Sequence, residues 1–173
     1  MLNRTIAPAF RQVTDINFIR PIVNNLANGL PVYIINAGDT DLVRIEFIFE
    51  NINWDVRRPL QAVAVNGLIN NGTKTLTAKE IAEKVDYYGA FLQTEYSADH
   101  TTVTLYALNK HLPAVLPIVW SILNDSIFPQ QELDIYKQNQ KQKLQVSLQK
   151  NDYLARKTFA HAIFADTAYG SDI

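Results

Sequence analysis

The stretch that decides the fold is residues 77–108, TAKEIAEKVDYYGAFLQTEYSADHTTVTLYAL, in which a helix signal is followed by two strand signals. Thr77 and Glu80 have the spacing of a capping box, whose two side chains bond the free backbone N–H groups at a helix N-terminus. Gly89 is suited to end the helix, because glycine readily adopts the left-handed conformation that follows many helices. The stretch therefore begins with a helix predicted from Thr77 to Tyr88.

The rest of this stretch, with Ala90 at its start, is rich in the aromatic and β-branched side chains that suit a pleated sheet. A short polar segment from Ser97 to Asp99 divides it into two runs. We therefore predict two strands joined by a tight turn, placed directly after the helix.

Another helix is predicted upstream, beginning at Pro59, because proline is favoured in the first turn of a helix. The apolar residues of this segment recur at helical spacing, at Leu60, Val63, Ala64 and Leu68. We expect this helix to end before Gly72.

The region before this helix is predicted to form an arm and two strands. Residues 1–29 mix prolines with polar residues without a period, which predicts an irregular N-terminal arm. After a turn at Asn28-Gly29, residues 31–37 form an apolar, β-branched run. Gly38-Asp39 is a hairpin-type turn signal ahead of a strand over residues 41–50. The odd-numbered positions of that strand are predicted to form its buried face: Val43, Ile45, Phe47 and Phe49.

Helices are predicted for the region after the strands. Residues 111–128 are apolar, with prolines near the start of the predicted helix. Residues 129–164 are predicted to form one long helix, or two with a break near Asn151-Asp152. The apolar residues of this segment recur at three to four residues: Leu133, Tyr136, Leu144, Leu148, Ala155, Phe159 and Ala162.

The predicted order of elements, β-β-α-α-β-β-α-α, indicates the α+β class. We expect a two-layer sandwich, with an antiparallel sheet and helices packed on one face. With 173 residues and 47% hydrophobic content, the chain is predicted to form a single domain over residues 1–173, with residues 1–29 as its arm.

Composition argues against several classes of function. A net charge of −1 gives no overall attraction to nucleic acid or to an acidic membrane, so neither is expected as a partner. The absence of cysteine excludes disulfides, thiolate metal clusters and a cysteine nucleophile. The N-terminal residues contain no apolar run long enough for a signal peptide or a membrane span. We expect a soluble chain, either cytoplasmic or periplasmic.

Motifs for nucleotide binding or serine hydrolysis are not found in the sequence. The histidines, His100, His111 and His161, do not have the spacing that places two imidazoles on one helix face. Scattered surface or hydrogen-bonded imidazoles are therefore expected, although a zinc site assembled from them remains an alternative.

The order and spacing of several segments resemble the N-terminal module of the zinc peptidase family that includes pitrilysin, insulysin and the mitochondrial processing peptidase. The matching segments are NGLPVYIINAGD, the strand at 41–50, the helix ending in NNGT, TAKEIAEKVDYYGA, FLQTEYSADHTTVTLYAL and SIFPQQELDIYKQ. The resemblance covers the whole chain and implies the LuxS/MPP-like metallopeptidase fold. Halves of these enzymes contain two such modules, so the chain resembles the first module of a longer half.

In active members of that family the first helix carries H-x-x-E-H, in which the histidines hold zinc and the glutamate is the general base. Alignment on Gly72-Thr73 puts Val63 and Gly67 at the histidine positions and Asn66 at the glutamate position. Valine and glycine have no side-chain donor to a metal, and asparagine cannot accept a proton as a carboxylate does. The resemblance thus implies a chain without catalytic residues.

The family's final zinc ligand, a glutamate on the long helix, falls near Leu144 or Gln145 in this sequence. No acid is present from residue 135 to residue 151, so a small register error does not restore it. We therefore expect no metal site and no cofactor. Gly67 costs a helix interior about 1 kcal/mol relative to alanine, and we expect a structural reason such as close backbone approach by another element.

One binding feature of the family depends on the backbone. In the family, the strand after the second helix lies at a sheet edge and receives the substrate peptide as an added strand. The corresponding segment here is residues 89–94, with Gln93 and Thr94 in the places of the usual Asn and Ala. These two residues are the candidate substrate-binding positions, although an ordinary strand with a covered edge is the alternative.

The resemblance implies a non-catalytic homologue of the zinc peptidases that acts as a partner subunit and shapes a peptide-binding chamber. Its expected partners are extended peptides and a homologous zinc-bearing subunit or second half, in a hetero- or homodimer. Two alternatives are an active zinc metalloendopeptidase with a relocated metal site, and a purely structural interaction module.

Overall fold

The computed structural model describes residues 18–171, which fall into two compact units that meet between Asp39 and Thr40 in the sequence. The first unit contains β1 (Ile22–Asn25) and β2 (Pro31–Ile34). The second contains β3 (Leu42–Glu50), α1 (Gln61–Leu68), α2 (Ala78–Tyr87), β4 (Phe91–Tyr96), β5 (His100–Leu108), α3 (Leu112–Asp125), α4 (Gln130–Ser147) and α5 (Asn151–Phe164). A 3₁₀ turn, Asn109–His111, joins β5 to α3.

The first unit is an antiparallel hairpin in which Ile22 lies opposite Ile34. Its turn is the predicted Asn28-Gly29 pair, where Gly29 adopts a φ of +85° that side chains disfavour. Two predictions are therefore wrong: part of the expected irregular arm is a strand, and β2 pairs with β1 and not with the strand that follows it. The cause is the tight Asn-Gly turn, which brings two short runs together locally. The remainder of the predicted arm, residues 1–17, lies outside the described residues.

The second unit is built on an antiparallel sheet of order β3-β5-β4. Val43, Ile45 and Phe47 of β3 lie opposite alternate residues of β5 and are half-buried, as predicted for its odd-numbered positions. Phe49, at the end of the strand, is 47% exposed, because it lies where the sheet gives way to a loop.

The helices α2 and α3 pack on the face of the sheet that these residues share. The largest fully buried side chains lie in β5 and α3: Val103, Leu105, Val115, Val119 and Ile122. From α2, Ile81 and Val85 complete the same hydrophobic cluster. The predicted α+β class, with helices packed on an antiparallel sheet, is confirmed.

The capping box at the start of α2 is also confirmed. The backbone N–H of Glu80 donates to Thr77 Oγ1 at 3.2 Å, and the backbone N–H of Thr77 donates to Glu80 Oε2 at 2.8 Å. These hydrogen bonds to Glu80 from the Thr77 backbone and hydroxyl lower the pKa of its carboxyl group.

The long helical segment divides into α4, which ends at Ser147, and α5, which begins at Asn151, so the break lies directly before the predicted position near Asn151-Asp152. The two helices are separated by residues 148–150, and Lys150 has an extended backbone. Of the predicted apolar stripe, Leu133 and Tyr136 are half-buried, whereas the later members are exposed within the described residues: Leu144, Leu148, Ala155, Phe159 and Ala162.

Within residues 18–171, the structure contains no helix that is both long and apolar enough to cross a lipid bilayer.

Candidate functional site

The candidate site lies where α1 meets β4 and α4. Helical spacing places Val63, Asn66 and Gly67 on adjoining parts of one side of α1. Asn66 is 5% exposed, which is unusual for an amide side chain and requires a hydrogen-bond partner.

That partner is the backbone of β4. The Asn66 Nδ2 group donates a hydrogen bond to the carbonyl oxygen of Glu95 at 3.1 Å. Asn66, which the resemblance aligns with the family's general base, thus connects the helix to the strand by this hydrogen bond. An amide in this role is a hydrogen-bond donor and has no carboxylate with which to accept a proton.

Gly67 lies against the ring of Tyr136 from α4. A Cβ atom at residue 67 would be 2.7 Å from Tyr136 Cε2 and 3.4 Å from Tyr136 Cζ. Real Cβ atoms essentially never come within 3.0 Å of a neighbouring atom, so any other residue would displace the ring. The expected close approach at Gly67 therefore exists, but it comes from a side chain and not from a backbone.

Tyr136 is half-buried, and its burial raises the pKa of its phenol. One turn earlier on α4, Glu132 accepts a hydrogen bond from Asn71 Nδ2 at 3.3 Å. Asn71 follows the end of α1, so α4 runs past α1 in the antiparallel sense. The carboxylate of Glu132 lies beside Asn71, one turn of α4 away from the residue that packs on Gly67.

The side chains at this site do not fit a zinc ion. Val63 offers no ligand atom, and the amide N–H of Asn66 is engaged with a carbonyl. A histidine at position 67 requires the space that the ring of Tyr136 takes. Zinc sites in proteins need three or four N, O or S ligands, and of these three positions only Asn66 carries a side-chain oxygen or nitrogen.

The three histidines belong to separate parts of the fold. His100 begins β5 and is exposed, His111 lies 5.5 Å from the ring of Tyr88, and His161 is exposed on α5. Within residues 18–171, no three His, Asp or Glu side chains are grouped closely enough to hold a metal ion.

The strand β4 pairs with β5 on one side only, so it is an edge of the sheet among the described strands. The backbone N–H of Ser97 donates to the carbonyl of His100 at 2.8 Å, which fixes the alternation of hydrogen bonds in the ladder. By this alternation, Glu95, Gln93 and Phe91 direct their backbone N–H and C=O groups to β5. The N–H and C=O groups of Leu92, Thr94 and Tyr96 therefore point away from the sheet.

The two candidate substrate-binding residues lie on opposite faces of β4. The side chain of Gln93 is on the face opposite the helices, and its Nε2 group donates to Glu95 Oε1 at 2.5 Å. The side chain of Thr94 is half-buried and pairs with Val103 on the helix face. Only Thr94 presents its backbone groups outward, so the two residues cannot contact a peptide in the same way.

A cavity of about 570 Å³ lies at the end of β4, beneath the loop that connects β3 to α1. Trp54 and Asp55 of this loop line it, together with Tyr96, Val65 of α1 and Ile69, which directly follows α1. Hydrogen bonds from the side chain and backbone of Arg57 lower the pKa of the Asp55 carboxyl group. Burial raises the pKa of Tyr96. Sequence reasoning missed this cavity, since its lining residues come from β3, the loop after it, α1, β4, β5 and α3, which are far apart in the sequence.

Comparisons with known proteins identify the family to which the chain belongs. The sequence matches the family described as Insulinase (Peptidase family M16) over residues 62–173. Proteins described as uncharacterized zinc proteases, from Rickettsia felis and Rickettsia bellii, are each 27% identical to it over 158 residues. The aligned region is 87% of this chain and 37% of each relative, so the chain spans little more than a third of their length.

Two solved structures share the fold. A crystal structure described as a peptidase M16 inactive domain from Pseudomonas fluorescens superposes with a TM-score of 0.77, at 19% identity, over 88% of this chain and 38% of that one. A protease from Helicobacter pylori gives a TM-score of 0.55 at 18% identity, over 67% of this chain and 29% of that one. Because the family match covers more than half of the sequence, and the fold agrees with it, this chain belongs to the insulinase family, peptidase family M16.

Proposed function

We propose that this chain is a non-catalytic module of an M16 peptidase assembly, which pairs with a homologous zinc-bearing subunit or half and helps to bind extended peptides. The observation that carries this proposal is the packing of α1. The positions that the alignment on Gly72-Thr73 assigns to the two imidazoles and the carboxylate of active relatives are occupied by an aliphatic side chain, a hydrogen-bonded amide and a glycine that contacts Tyr136.

The packing of these residues supports a structural role for α1 and argues against an empty metal-binding site. Asn66 is buried with its hydrogen bond made, and Tyr136 contacts the one position in α1 that has no side chain. Both contacts stabilise the junction between α1, β4 and α4 by ordinary packing and hydrogen bonding. Such a junction keeps β4 in place without zinc.

Peptide binding is supported by the outward backbone groups of β4. Leu92, Thr94 and Tyr96 together offer three N–H donors and three C=O acceptors over a length of about 13 Å. An extended peptide satisfies such groups by adding a strand to the sheet, and its affinity then comes mainly from the main chain. The changed side chains at Gln93 and Thr94 are compatible with this mode.

A reconstitution experiment tests the proposal. Cleavage of quenched-fluorescence peptides is measured for the full chain alone with added zinc, for a homologue with an intact H-x-x-E-H motif alone, and for the two together. We expect the chain alone to bind peptides without cleaving them, and to form a stable complex in which the homologue cleaves faster. Cleavage by the chain alone that a chelator abolishes would contradict the proposal.

A further inference from the structure

A groove with a cavity of about 280 Å³ opens beside the start of β4, between α2 and the segment that follows α1. Its walls include Asn70, Asn71, Ala78, Ala82, Asp86 and Leu92. The opposite side of α2 faces α3 in a separate groove, which is lined by Glu83 and Tyr87. Because α3 packs under the middle of the sheet and this groove is on the other side of α2, the groove lies towards the outer edge of β4.

Within the described residues, the groove carries a single negative charge, that of Asp86. Asp86 is the one charged residue among the described residues that line it, and its exposed carboxylate makes no ion pair within residues 18–171. Asn70 and Asn71 add polar amides, and the amide N–H of Asn71 is already donated to Glu132. The rest of the wall is mostly apolar. Such a lining suits a side chain with an apolar stem and a cationic end.

The geometry of strand addition brings one peptide side chain to this groove. The backbone groups of Leu92 point outward, and its side chain packs among the helices. Residues that lie directly opposite each other on paired strands project their side chains to the same face. The peptide residue that pairs with Leu92 therefore projects its side chain to the helix face, where Asp86 and Ala82 lie.

We propose that the groove beside Leu92 gives the β4 edge a preference for extended peptides that carry an arginine or lysine at the residue paired with Leu92. The aliphatic stem of that side chain packs on Ala82, and its cationic end pairs with Asp86, one turn further along α2. This inference rests on the proposed function, because it requires that peptides bind along β4.

The test compares two blocked ten-residue peptides in a threonine- and valine-rich sequence, one with a central arginine and one with citrulline at the same place. Citrulline keeps the shape of arginine and lacks its charge. Binding to the full chain is measured by fluorescence anisotropy at low salt. We expect the arginine peptide to bind about three- to fivefold more tightly, the range for a solvent-exposed ion pair, and the preference to shrink at high salt.

Two matched variants locate the effect on α2. Asp86→Asn removes the carboxylate from the groove, and Glu83→Gln removes a carboxylate from the other side of the same helix. We expect the first to abolish the preference for arginine while citrulline-peptide binding is unchanged, and the second to preserve it. Circular dichroism checks that both variants fold.

The outcomes separate this inference from the proposed function. Equal binding of the two peptides, or an arginine preference that survives Asp86→Asn, overturns the assignment of the groove and leaves peptide binding by β4 intact. Failure of both peptides to bind the unmodified chain overturns the peptide-binding proposal, and the groove assignment with it.

Discussion

Substitution of Gly67 by alanine tests the contact between α1 and α4 quantitatively. Alanine in place of glycine stabilises the interior of a helix by about 1 kcal/mol. The new Cβ atom, however, would lie 2.7 Å from Tyr136 Cε2, so the ring must move from its packed position. Overpacking of this kind costs about 1–3 kcal/mol in a well-packed core. Since Tyr136 is only half-buried and can rotate, we expect the lower end of that range.

Gly67→Ala alone should therefore be neutral or destabilise the chain by up to about 1 kcal/mol, because the two effects oppose each other. With Tyr136→Ala already present, the clash is absent, and Gly67→Ala should stabilise the chain by about 1 kcal/mol. The double-mutant cycle thus predicts a coupling of about 1–2 kcal/mol between the two positions.

Urea denaturation followed by circular dichroism measures the free energy of unfolding of the four proteins in this cycle. Gly67→Ser is a useful companion, since it adds the same Cβ atom with a polar end. If Gly67→Ala stabilises the chain by the same amount whether or not Tyr136 is present, the ring does not pack on Gly67 and the reasoning fails.

Three further predictions address the same region and the cap of α2. Asn66→Asp removes the hydrogen bond to the Glu95 carbonyl and should destabilise the chain by about 1–3 kcal/mol at neutral pH. Burial beside a carbonyl raises the pKa of the new carboxyl group, so denaturation at several pH values should show this loss of stability shrinking as pH falls. Thr94→Pro should leave the chain folded, because the lost N–H points outward, yet weaken peptide binding in anisotropy measurements, whereas Gln93→Pro breaks the ladder to β5 and should unfold the sheet. The folded-state pKa of Glu80 is below its ordinary value of 4.5, so its ionised form should stabilise the chain above pH 4.5, and this stabilisation should be lost as pH falls through the lowered pKa. Denaturation of Glu80→Gln across the same pH range should lack that pH dependence.

Short-range patterns in the sequence correctly predicted α2, β4 and β5. The capping box at Thr77, the stop at Gly89 and the turn at residues 97–99 each depend on a few neighbouring residues, and the structure has α2, β4 and β5 where these signals place them. The helix-facing positions of β3 followed from its alternation in the same way.

Long-range relations were beyond the sequence. The pairing of β2 with β1 was not predicted, because the turns before and after β2 both carry glycine and local signals do not choose between them. The apolar stripe of α4 and α5 has helical spacing, but spacing alone does not say what covers it, and Phe159 is 67% exposed in the structure.

The candidate site was partly predictable. A glycine in a helix interior signalled a close approach, but the identity of Tyr136 as the neighbour required the packing of α1 on α4. The bond from Asn66 to β4 and the groove beside Asp86 depend on residues far apart in sequence, and no local pattern marks them. The roles of Gln93 and Thr94 in binding stay predictions.

The central claim is that the helix that binds zinc in active relatives has only a structural role in this chain. Metal content tests this claim most directly. The full chain is dialysed against excess zinc, freed of loosely bound metal by gel filtration, and analysed by inductively coupled plasma mass spectrometry beside a relative with an intact H-x-x-E-H motif. Retention of well under one zinc per chain, against about one for the relative, is the expected result. One tightly held zinc per chain that is lost on substitution of a histidine would contradict the account.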